Sequence, residues 1–158
     1  MKLNIGCGTK RLDGFVNIDV RAYRTVDVVC DCEKTLPFKD ECFDGAFSQY
    51  FIEHIRDLDT LMLELARVCK AGSIVNHITP YCRGAGAFGI GHVTYYHERS
   101  FEKYYLPNTE PVDVRDSKPY ELVGVSIVFG RNAFIQRLLY WSRVLWCGGA
   151  LDFKLRVK

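Results

Sequence analysis

Leu3-Asn4-Ile5-Gly6-Cys7-Gly8, followed closely by Phe15-Val16-Asn17-Ile18-Asp19-Val20, carries the strongest fold signal in the chain. The first run is a short apolar strand stopping on Gly-x-Gly, where a missing Cβ lets the backbone turn sharply and approach a ligand. The second is a β-branched and aromatic strand that closes on a carboxylate. Side by side in a parallel sheet, the acid lies beside the turn and can accept hydrogen bonds from a ribose diol. The connection 9–14 is shorter than the dozen or more residues a parallel crossover usually takes, so any helix there is one turn at most.

Downstream, 26–30 and 45–48 read as further short strands. After Asp57 the period becomes helical. Leu58, Leu61, Met62, Leu65 and Cys69 form one apolar stripe, with Lys70 expected in the last turn and Gly72 as a left-handed stop. Residues 74–78 follow as a strand closed by Pro80, which completes a right-handed strand–helix–strand unit. A Gly-rich loop spans 81–97, a short helix is expected at 100–106, and 107–119 is a polar linker. Strand 122–129, helix 132–146 and strand 151–157 complete the chain. The expectation is one α/β domain over 1–158: a single Rossmann-like, mostly parallel sheet, last strand antiparallel, with reduced helices in the N-terminal half. Its parts are a cofactor half (1–80), the loop and linker (81–119) and a strand–helix–strand end (120–158).

Composition narrows the partners. The 158 residues are 48% hydrophobic and 25% charged, with net charge +2, so no global field points to nucleic acid. The chain runs from Met1-Lys2 straight into a strand, and no apolar run approaches the ~20 residues a spanning helix needs. Secretion is not expected. Seven cysteines without a CxxC pair read as free thiols in a reducing compartment, hence the cytoplasm, and no metal site is expected.

The nucleotide can be narrowed too. Thr9-Lys10-Arg11 stands where a dinucleotide fingerprint has its third glycine, and Asp19 comes well before the ~20-residue spacing of that motif. Without a helix there is no dipole for a diphosphate, which counts against a nucleotide-binding oxidoreductase. A ligand with ribose and adenine but no phosphates fits better, S-adenosylmethionine among them.

The string LNIGCG…GFVNIDV…DVVCDCEKTLPFKDECFDGAFSQYFIEHI…ELARVCKAGS resembles the class I S-adenosylmethionine-dependent methyltransferases, in their small branch with a shortened first helix. The resemblance covers residues 3–80 well and 81–105 loosely. It implies that Gly6, Cys7 and Gly8 pass under the methionine and ribose, and that Asp19, with Val20 beside it, binds the ribose. It further implies that Asp31 and Cys32 meet the adenine, and that Ser48 and Gln49 lie under the sulfonium. Asn4 also belongs to this set, although many relatives carry Asp or Glu there.

Methyl transfer to an amine or hydroxyl must also remove a proton, which invites a general base. His92, in the Gly-rich loop, ranks first; His54 follows, with Glu53 as orienting partner or alternative; His97 is a further candidate. His77, mid-strand, reads as a core residue, and Tyr95, Tyr96, Tyr104 and Tyr105 as packing under the loop. The acceptor class stays open among small molecules, sugars and lipids. The alternative is a non-catalytic module with the same fold, motivated by Asn4 and the stripped helices. Helix 132–146 is amphipathic, and basic residues (Arg131, Arg137, Arg143, Lys154, Arg156, Lys158) outnumber Asp152 around it. Docking on its own sheet or across a homodimer is expected in preference to peripheral membrane contact.

Overall fold

Alternation along the first two strands sets up two chemically different sheet faces. The computed structural model describes residues 1–106, 119–128 and 149–158. Strands β1 (Lys2–Ile5), β2 (Phe15–Asp19), β3 (Val28–Val29), β4 (Phe43–Gln49), β5 (Cys69–Pro80), β6 (Tyr120–Val128) and β7 (Ala150–Val157) form one sheet in the order β3-β2-β1-β4-β5-β7-β6. The first five pair in parallel, and β7 runs antiparallel to both β5 and β6. This is the expected architecture.

The register Leu3↔Val16, Leu3↔Ala46, Ala46↔Val75 and Val75↔Leu155 puts these side chains on one face. That face carries the core. Leu3, Ile5, Ile18, Val75, Phe153 and Leu155 pack with Leu61, Met62, Leu65 and Val68 of helix α1 (Leu58–Val68). Each such side chain, fully buried, contributes about 1.5–3 kcal/mol. The other face is far more polar: Asn4, Asn17, Gln49, Asn76, Asp152, Lys154 and Arg156 share it with Phe47 and Ile78. Helix 132–146, expected to dock there or across a dimer, lies outside the described residues, as do 107–118 and Cys147.

Asp57 caps α1, its carboxylate accepting from the Thr60 amide at 3.0 Å. The far end differs from expectation. Gly72 has the left-handed φ of +80°, yet the helix has already stopped at Val68. Cys69 is extended and opens β5, so Lys70 sits on the strand and pairs with Asp44 at 2.6 Å. The early stop follows from pairing: Phe43↔Cys69 recruits the chain into the sheet before Gly72 is reached. Strand β3 is also shorter than 26–30, because Asp27 is drawn into side-chain bonds with Asn17 and Arg11. The single-turn helix α2 (Glu102–Tyr105) falls inside the expected 100–106. No helix among the described residues is long and apolar enough to cross a membrane.

Candidate active site

The carboxyl ends of β1, β2 and β4 meet where the strand order reverses, the usual ligand position in an open α/β sheet. There Gly6 and Gly8 have φ of +61° and +51°, a backbone that side chains rarely adopt. The Cys7 amide donates to Ile18 O at 3.0 Å, which ties the bend to β2. The Gly8 amide donates to Asp19 Oδ2 and the Arg21 amide to Oδ1, each at 2.9 Å. The acid is therefore fixed by two backbone donors, and its remaining lone pairs stay available. Val20, beside it, is 64% exposed and offers an apolar surface.

One strand further, the Cys30 amide bonds Asp19 O at 3.0 Å. The Asp31 carboxylate accepts from the Glu33 amide at 3.0 Å and pairs with Lys34 at 3.2 Å, and these two partners hold its pKa below the usual value. Cys32 is buried. Gly8, Asp19, Val20 and Asp31 thus share one edge. Nothing lies within 4 Å of where a Gly8 Cβ would stand, so this side of the bend is open to a nucleoside. The donor and acceptor set fits a ribose and an adenine.

The Gly6 side is different. A Cβ there would stand 1.9 Å from Phe51 Cδ2, so the Phe51 ring packs into the space that Gly6 leaves. The pocket beside it, lined by Asn4, Gly6, Cys7, Lys10, Leu12, Phe47 and Gln49, holds about 50 Å³. No spacing rule singled out Phe51; its only sequence signal is its place between β4 and the Glu53-His54 pair.

Two expected site residues are engaged by the protein itself, Asn4 at the wall of this pocket and Ser48 on the opposite face of the sheet. Asn4 is buried, and its amide donates to Asn17 Oδ1 at 2.8 Å and to Lys10 O at 3.2 Å. It pins the connection below the bend. Ser48 is fully buried on the core face, its hydroxyl 2.7 Å from His77 Nδ1, because the register Ile5↔Ser48 points it away from the polar face. Gln49, the next residue, is exposed at the strand end.

Glu53 and His54 belong to a 3-10 turn (Ile52–His54) right after Phe51. The Val93 and Thr94 amides donate to Glu53 O at 2.8 and 3.2 Å, and Tyr96 Oη donates to Ile52 O at 3.0 Å, so the Gly-rich loop folds onto this turn. His54 and His92 meet edge to face with ring centroids 4.8 Å apart. Their Nδ1 atoms bond carbonyls, Gly91 O at 3.0 Å and Ala87 O at 2.8 Å. A carbonyl can only accept, so both Nδ1 atoms carry protons, and a neutral ring keeps its lone pair on Nε2. Glu53 is 2% exposed and accepts from Thr79 Oγ1 at 3.2 Å; burial pushes its pKa up. Thr79, on the core face of β5, was not anticipated. His97 stands apart, bonding the Arg99 amide and lining a hollow of about 430 Å³ with Arg56, Thr94 and Lys103. Tyr96 and Tyr104 are buried as expected, while Tyr95 is half exposed.

Residues 3–76 match a family model described as a methyltransferase domain. A sterol 4-C-methyltransferase of Caenorhabditis elegans is 44% identical over 45 residues, which span 28% of this chain and only 13% of that protein. Among solved structures, the [4+2]-cyclase SpnF superposes with a TM-score of 0.65 at 17% identity, covering 99% of this chain and 73% of that one. A SAM-dependent methyltransferase from Archaeoglobus fulgidus gives 0.63 at 15% identity, covering 99% and 85%.

Proposed function

We propose, from a chain that has the fold of the class I S-adenosylmethionine-dependent methyltransferases, that it methylates a hydroxyl or amine of a small molecule, with sugars and lipids among the acceptors. The observation that carries this reading is the bond from the Gly8 amide to the Asp19 carboxylate, at the open edge of a left-handed glycine bend. Asp19 holds the ribose hydroxyls, Val20 and the Asp31–Cys32 segment border the adenine, and Gly8 leaves the backbone bare beneath the sugar. The cofactor supplies, when bound, a methyl group already activated on a sulfonium, so the protein's task is chiefly alignment. His92 and His54 offer Nε2 lone pairs to the acceptor's proton, with Nδ1 anchored on backbone carbonyls. Glu53, within 4.8 Å of both imidazoles, adds a carboxylate whose negative charge favours a protonated imidazole. The free thiols Cys7, Cys32 and Cys69 support a reducing compartment, the cytoplasm.

Titration calorimetry with S-adenosylmethionine and S-adenosylhomocysteine tests the reading. Both bind saturably to wild type, and Asp19→Ala and Asp19→Asn weaken them at least ~100-fold, the loss of one or two charge-assisted hydrogen bonds. A flat titration of well-folded wild type overturns it. A second reading, a module that keeps the fold without turnover, draws support from Phe51 filling the Gly6 side of the bend. Methylated product from any compound in a panel of hydroxyl and amine acceptors sinks that one.

A further inference from the structure

We infer that Glu53, His54 and His92 form a binding site for one divalent transition-metal ion. One ligand-type atom from each lies within 4.8 Å of the other two. Two imidazoles and a carboxylate suit a borderline cation such as Zn²⁺ and, less tightly, the harder Mn²⁺, and His₂Glu is a recurrent set in sites that keep one position open. Bonds of ~2.0–2.1 Å put tetrahedral ligands roughly 3.3 Å apart, and exposed His54 has room to close that gap.

Two further features point to an ion. Both histidines already make the outer contacts of metal ligands: each Nδ1 donates to a carbonyl, which fixes the tautomer and aims the lone pair at Nε2. Glu53, 2% exposed, has no Lys or Arg partner among the described residues, and Thr79 is its hydrogen-bond partner there. A buried carboxylate without a counter-charge is costly, and a cation between it and the imidazoles supplies that charge. Three protein ligands leave an acceptor oxygen a coordination position, where the ion lowers that oxygen's pKa and its proton passes to solvent; with the ion bound the two imidazoles serve as ligands instead of bases. Only this last use rests on methyl transfer.

The test uses the full chain without cofactor, so its outcome is separate from that of the methyl-transfer reading. Mn²⁺ binding is followed by loss of the free-ion EPR signal, and Zn²⁺ binding by competition with a chromophoric chelator. One ion per chain is expected, bound more tightly as Zn²⁺ than as Mn²⁺. His54→Asn and Glu53→Gln each lower the affinity about 100-fold or more, and His97→Asn leaves it unchanged. Glu53→Gln keeps the side-chain size and the Thr79 bond, and circular dichroism confirms folding. The inference fails if folded wild type binds neither ion saturably. It also fails if affinity persists in a His54→Asn/His92→Asn double variant, which assigns the ion to other donors such as the Cys30 and Cys32 thiols.

Discussion

At Gly6 two requirements coincide: a φ of +61°, and a ring where a Cβ would be. Gly6→Ala therefore costs backbone strain of about 1 kcal/mol plus displacement of Phe51, roughly 2–4 kcal/mol together. Differential scanning calorimetry should show Tm lowered by about 4–12 °C, and a Gly6→Ala/Phe51→Ala double variant should lack the clash component. His77 poses a different problem. It is fully buried, Nδ1 is bonded to Ser48, Nε2 has no partner, and burial lowers its pKa to about 4. The unfolded chain takes up a proton near pH 6.5 that the folded chain refuses until about pH 4. The unfolded state thus binds more protons in that window, and the stabilising contribution, complete above pH 6.5, is lost as pH falls through it. Its full size is about 3 kcal/mol. Urea unfolding between pH 7 and 4 should give a steeper loss of stability for wild type than for His77→Leu.

Among the elements, the connection 9–14 does without a helix because side chains take over its hydrogen bonding. Asn17, fully buried, accepts from Asn4 Nδ2 and the Leu12 amide, and its own amide donates to Leu12 O, Phe15 O and Asp27. Arg11 closes the set with a 2.7 Å bond to Asp27, exposed and modest in itself. The Asn17 backbone and side-chain amides, then Arg11, hold the Asp27 carboxyl down to about 2. Asn17→Ala removes the acceptor of the Leu12 amide and one bond each from Asn4 Nδ2 and Leu12 O, and should cost about 2–4 kcal/mol, read as a shift in the urea midpoint with an unchanged m-value. Amide exchange at Leu12 should accelerate most. None of this is visible in sequence, where Asn17 is only a polar position in a strand, since its four partner residues come from three separate segments.

Across the whole molecule, the local signals and the topology divide the outcome. The sheet's make-up followed from short β-rich runs ending on Gly, Asp or Ser, from one helical stripe, and from connections too short for a left-over helix. The bend at Gly6–Gly8 and its closure on Asp19 were likewise legible as geometry, because Gly-x-Gly after a strand turns sharply beside the end of the next parallel strand. Strand parity decided the rest. Ser48 and Gln49 are adjacent, yet alternation sends the first into the core and the second to the strand end, and only the register with Ile5 says which. Asn4 lines the pocket beside Gly6, and the pairing Asn4↔Asn17 adds what local pattern does not show, a side-chain amide that also ties the scaffold together. The meeting of His92 with Glu53 and His54 needed the loop to return onto the 3-10 turn through bonds from Val93, Thr94 and Tyr96. What local pattern specifies is the inventory of strands, turns and acids, since backbone geometry depends on near neighbours. What tertiary structure alone specifies is which side chains share a space, because that depends on register and on contacts between residues far apart along the chain.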